Sequence, residues 1–110
     1  MSIMIHIYYT GVNGAAKKFA EEMMKTGVVE AIRKEKGNEG YAYFSSFEDP
    51  ETILLIDRWK DQEALDVHHA SSMMETIIAL REKYDLHMQV ERYLLDDVGV
   101  PSSDHKFIRK

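Results

Sequence analysis

Three side chains that could act together on a small molecule lie in one run of the sequence, LLIDRWKDQEALDVHH at residues 54–69. They are Asp57, Trp59 and His68. A free imidazole has a pKa of about 6.5, so His68 is the member of this run suited to taking a proton near neutral pH. The Trp59 indole offers stacking area and one N–H donor. Each residue also has a plainer use. Trp59 can be core at a strand end, His68 a hydrogen-bonded helix residue, and Asp57 a solvated or paired strand carboxylate.

Local patterning says whether the three can meet. Residues 53–56 are apolar and lead into Asp57-Arg58-Trp59, so a strand is expected over 52–60. Strand side chains alternate, which puts Leu55, Asp57 and Trp59 on one face. The pattern turns helical at Asp61, whose short carboxylate can accept from the free amides of a first helical turn. On that helix Leu65 and His68 share a face, with Ala64 four residues before His68. Acid, indole and imidazole are therefore expected where the strand hands over to the helix.

His69 points about 100° away from His68, whereas a helical metal pair needs i, i+4 spacing. His6, His87 and His105 are scattered, although His6 and His87 could face each other from adjacent strands. No metal is expected. GVNG at residues 11–14 lacks the glycine fingerprint of a phosphate loop, so nucleotide binding is not expected either.

Composition narrows the classes further. A chain of 110 residues makes one domain. Fourteen basic against nineteen acidic residues give a net charge of −5, a poor match to a nucleic-acid backbone. With no cysteine there is no disulfide, thiolate nucleophile or Cys-bound metal. MSIMIHIYY has no basic leader region and no apolar stretch is long enough to span a bilayer, so a soluble, cytoplasmic protein without membrane contact is expected.

In chain order, residues 2–10 read as a buried strand, β-branched and aromatic. Asn13 or Gly14 can start a helix in which Ala16, Phe19, Ala20, Met23 and Met24 form an apolar stripe. Thr26-Gly27 should interrupt it, with a second helical piece over 28–36. Asn38-Glu39-Gly40 is turn chemistry, and residues 41–47 form a strand with Tyr41, Tyr43 and Ser45 on one face. Pro50 marks the turn into strand 52–60, and the two should pair as a hairpin. Ala70-Ser71-Ser72 ends the Asp61 helix and supplies a new N-cap. The next helix carries Met73, Ile77, Leu80 and Tyr84 as its stripe, residues 86–95 are the last strand, and the tail is loop-like.

This βαββαβ order predicts an α+β fold, the ferredoxin-like split-βαβ arrangement with helices on one face of an antiparallel sheet. Residues 1–95 would be the domain and 96–110 a C-terminal tail. Apolar residues fall on both faces of the strands, and no helix is left for the second face. A homodimer closing a dimeric α+β barrel is therefore expected.

Over residues 3–95 the chain resembles the antibiotic biosynthesis monooxygenase family, small dimeric ferredoxin-like proteins that include quinol monooxygenases. The resemblance rests on Asp57-x-Trp59-Lys60-Asp61-Gln62-Glu63-Ala64-Leu65-x-x-His68 with Ser71 after it, and on the Gly37-Asn38 turn before an aromatic strand. It implies a cleft between sheet and helices for a flat aromatic substrate. It also implies O₂ chemistry with no cofactor: a base deprotonates a quinol or phenol, which then reduces O₂ directly. His68 would be that base, Trp59 the stacking surface and Asp57 the group orienting the imidazole.

A Met- and Tyr-rich interior suits such a pocket. Its candidate lining is Tyr41, Tyr43, Tyr84, Phe19, Met23, Met73, Ile77 and, unless it only makes a turn, Asn38. Ile77-Ile78-Ala79 and the absence of His between 70 and 86 disfavour the haem ligation of one branch. The alternatives are an isomerase using the same cleft, or a non-catalytic aromatic-binding or stress-response module.

Overall fold

The computed structural model describes residues 1–110. Its elements are β1 (Ile3–Thr10), α1 (Ala15–Lys25), α2 (Val28–Arg33), β2 (Asn38–Ser45), β3 (Thr52–Trp59), α3 (Gln62–His69), α4 (Met73–Lys83) and β4 (His87–Leu94). The strands form one antiparallel sheet in the order β2-β3-β1-β4, the ferredoxin-like order expected from the sequence. Each expected helical position is a pair of helices. Between α1 and α2 the break falls at Gly27, whose φ of 84° is a left-handed conformation that a side chain would strain.

Alternation along the strands sorts the sheet into two faces. Ile3, Ile5, Ile7 and Tyr9 of β1, Tyr41 of β2, and Ile53, Leu55, Asp57 and Trp59 of β3 are buried on one side. Phe19, Met23, Val29, Ile32, Leu65, Ile77 and Leu80 cover them from the helices and complete the core. Burial of these apolar side chains, at roughly 1.5–3 kcal/mol each, is what drives the two layers together. The other face, with Met4, His6, Tyr8, Leu54 and Ile56, is half-buried and carries no helix.

Close packing at one corner fixes how α3 enters. Lys60 N–H donates to the Gly37 carbonyl at 2.8 Å. A Cβ added at Gly37 would stand 2.5 Å from Ala64 Cβ, so α3 rests directly on the turn before β2. Asp61 caps the helix as expected, accepting from Ala64 N–H at 2.9 Å.

Several local expectations need correction. β2 starts at Asn38, not Tyr41, because a bulge between Asn38 and Gly40 keeps the turn residues in the ladder. The N-terminus of α1 is satisfied by a distant side chain: Glu51 accepts from Asn13 and Gly14 N–H at 2.8 and 2.9 Å. Ser72 makes no cap hydrogen bond, being itself in helical conformation. The neighbouring Ser71 hydroxyl donates instead to the His68 carbonyl at 2.7 Å. His6 lies opposite Glu91 and His87 opposite Thr10, so the two imidazoles do not face each other. The tail contains a 3₁₀ helix at Ser102–Phe107. No helix is long and apolar enough to cross a membrane.

Candidate functional site

The end of β3 and the last turn of α3 bring two of the three singled-out side chains into contact. The rings of Trp59 and His68 stack with centroids 4.9 Å apart and 29° between their planes. That is direct stacking distance, so no third ring lies between them. Trp59 is fully buried and His68 is 3% exposed. Period-two alternation and the Asp61 cap suffice to explain the meeting, since they fix which faces of strand and helix turn inward.

The group that holds the imidazole is Glu35, not Asp57. Its Oε1 lies 2.6 Å from His68 Nδ1. An ionised carboxylate only accepts, so Nδ1 carries the hydrogen and Nε2 is the remaining site for a lone pair or a second proton. Glu35 follows α2 in the charge run RKEKG and contacts a residue 33 positions away. Local spacing carries no signal for that contact, and the sequence reading missed it.

Asp57 stands apart from this pair. It is 5% exposed, flanked across the sheet by Tyr41 on β2 and Ile5 on β1. Burial pushes its pKa up to about 7; the nearby indole N–H of Trp59 draws it part of the way down, and the negative charge of Glu35 pushes it up. Apart from that contact with each other, neither buried Asp57 Oδ1 nor buried Trp59 Nε1 has a hydrogen-bond partner. The Tyr43 hydroxyl is a third such group. Burial also raises the pKa of Tyr41 and of Tyr9, the latter opposed by Arg81, which donates to its hydroxyl at 2.9 and 3.2 Å.

The expected lining residues do not converge on one cleft. Phe19, Met23 and Ile77 are sealed in the core, and Met73 packs at its margin. Tyr41 is buried beside Tyr43, the two rings edge-on at 5.8 Å. Tyr43 reaches a surface cleft of about 290 Å³ shared with Met24, Arg33 and Ala42. Tyr84 lines a different groove, where its hydroxyl contacts Glu22 together with Lys83. Asn38 spends its amide on the carbonyls of Gly40 and Arg58, each at 3.3 Å, holding the bulge. No group of His, Asp and Glu side chains is arranged to hold a metal ion.

A model of the antibiotic biosynthesis monooxygenase family matches residues 2–80. The chain belongs to this family. The match takes in Asp57, Trp59, His68 and Glu35 and ends within α4. No curated protein matches the sequence. Solved structures share the fold. A conserved protein from Methanosarcina mazei is 23% identical with a TM-score of 0.73, over 84% of this chain and 91% of that one. A candidate antibiotic biosynthesis monooxygenase from Deinococcus radiodurans is 16% identical with a TM-score of 0.72, over 86% and 93%. SnoaB, a cofactor-independent oxygenase from Streptomyces nogalater, is 12% identical with a TM-score of 0.71, over 87% and 94%. At these identities the likeness is one of fold.

Proposed function

We propose that this member of the family is a cofactor-independent monooxygenase acting on a quinol or polycyclic phenol. The observation that carries the reading is the Glu35-clamped His68 stacked on Trp59 on the covered side of β3. In this reading Glu35 holds Nδ1–H, leaving His68 Nε2 to accept the substrate's proton. The resulting phenolate is electron-rich enough to reduce O₂. One oxygen atom enters the ring as a new carbonyl. The other leaves as water with two hydrogens, one from the hydroxyl and one from the attacked carbon. Trp59 supplies the apolar flat surface, and a second copy of the chain covers the bare sheet face to make a homodimer.

The test is oxygen uptake by metal-free protein with 1,4-dihydroxynaphthalene as reductant. Turnover should be lost at least about a hundredfold in His68→Ala, the usual scale for removing a general base. Full turnover in that variant would remove His68 from the role, and no uptake above the uncatalysed rate would remove the activity. The full burial of Trp59 under His68 favours a second reading, a structural domain with a closed cleft that takes no substrate. No binding of an aromatic ligand by calorimetry and no product by mass spectrometry would select it.

A further inference from the structure

The sheet has two outer strands, and they are not equally protected. On β2 the Tyr41 carbonyl is taken by Arg33, whose Nη2 and Nε donate to it at 2.8 and 3.0 Å. The bulge between Asn38 and Gly40 breaks the regularity of the same strand. Bulges and charged side chains laid against an edge are the usual devices that keep a sheet from pairing with another chain. β4 has neither. Its ladder with β1 runs over eight residues without a shift, all but Glu91 are exposed, and none is proline or lysine. The tail offers it no strand, because Gly99, Asp104 and Ile108 spend their amides on Asp96, Pro101 and His105 within the tail itself.

The residues of β4 say which strand fits there. Opposed residues of a sheet share a face, so a two-fold axis through an antiparallel pair of identical strands must pass through one residue. Placed at Glu91, the axis sets two Glu91 carboxylates directly opposite each other, and like charges so placed are destabilising. Placed at Gln89, it draws in Asp85, whose φ of 48° is not a strand conformation. Placed at Val90, it pairs residues 87–93 with no such conflict. Val90 then meets Val90, His87 meets Tyr93, and Arg92 lays its aliphatic stem along Met88. Gln89 meets Glu91, whose carboxylate accepts from the Tyr93 hydroxyl of its own strand and has a second oxygen for the Gln89 amide. The strand is thus complementary to itself, as a two-fold contact requires.

We propose that β4 pairs antiparallel with β4 of a second copy of the chain, about a two-fold axis at Val90, joining two sheets edge to edge. This contact is separate from the homodimer proposed above, which covers the bare face; the two together assemble four copies.

The chain has no cysteine, so single introduced thiols report the register. Opposed Cα atoms of an antiparallel pair lie about 4.5–5.5 Å apart, within disulfide reach. In the Val90 register the two Glu91 positions are diagonal, about 7–8 Å apart, and beyond it. Val90 is 55% exposed, so replacing it leaves the fold intact. Under a mild oxidant at micromolar concentration, Val90→Cys should form a disulfide-linked pair at least about tenfold faster than Glu91→Cys, read on non-reducing gels. Equal rates, or faster linkage at Glu91, overturn the pairing. Ile56→Lys on the bare face should break the other contact and leave the Val90→Cys linkage in place. Loss of the linkage in that background, with the chain still folded by circular dichroism, overturns the β4 contact as an interface of its own. A wild type that sediments as a dimer while Val90→Cys fails to link overturns the β4 pairing alone and leaves the bare-face homodimer standing.

Discussion

β3 and β4 flank β1 from opposite sides, each paired with it antiparallel over eight residues without a register shift. Their helix-side residues nevertheless have opposite fates. On β3 the set is Ile53, Leu55, Asp57 and Trp59, all buried. On β4 it includes Met88, Val90 and Leu94, which are 40%, 55% and 63% exposed. α1 lies over β1 and β3, α2 over β2 and α3 over β3, whereas no helix packs extensively on β4. One flank thus hides a carboxylate, and the other shows aliphatic side chains to solvent. Both run against the ordinary sorting of residues by polarity.

Four substitutions can break or sharpen that contrast. Trp59→Ala should have the largest effect, about 3–5 kcal/mol lost in urea unfolding, as for other buried aromatics. Leu94→Ala on the opposite flank should cost under about 1 kcal/mol in the monomer, since its side chain is already largely wetted. Similar losses at the two positions would mean that β4 is covered after all.

Asp57 supplies the second test. Its folded pKa of about 7 lies above the ordinary 3.8, so between these values the folded state holds a proton that the unfolded chain has released. Stability is then greatest below about pH 4 for this group, and declines as pH rises through 7. The decline is on the order of 4 kcal/mol at most, at about 1.4 kcal/mol per pKa unit. Asp57→Asn should flatten that slope and exceed the wild type in melting temperature at pH 8. Parallel pH profiles for the two proteins would show Asp57 to be an ordinary paired carboxylate.

Val90→Lys should change the folding free energy of the monomer least, by about 0.5 kcal/mol or less. If the proposed homodimer also uses β4, its effect should appear in association, as a shift from dimer to monomer in sedimentation velocity. A wild-type chain that sediments as a monomer at micromolar concentration would remove the homodimer proposed above.

What was legible in the sequence is what depends on neighbours along the chain. Period-two alternation placed Leu55, Asp57 and Trp59 on one face, helical spacing turned Leu65 and His68 inward, Gly27 split the first helix, and Asp61 capped α3. Contacts between remote segments left no such mark. Glu35 reads as one more charge in a solvated run, and Glu51 as a turn residue, yet each satisfies donors more than 30 positions away. The convergence of lining residues failed for the same reason. Phe19, Tyr84 and Asn38 each suit a pocket by type, but only the packing of α1, α4 and the β2 bulge says which surface they serve.

Gly37 sits two residues after Glu35, and Ala64, which it touches, lies one helical turn before His68. The pair works as a hinge pin whose thickness is set by an absent methyl group. Widening it by one carbon would lever α3 outward and stretch the carboxylate–imidazole link without altering any residue of the link itself. How closely α3 lays His68 on Trp59 is therefore a quantity that a single substitution remote from both rings can tune.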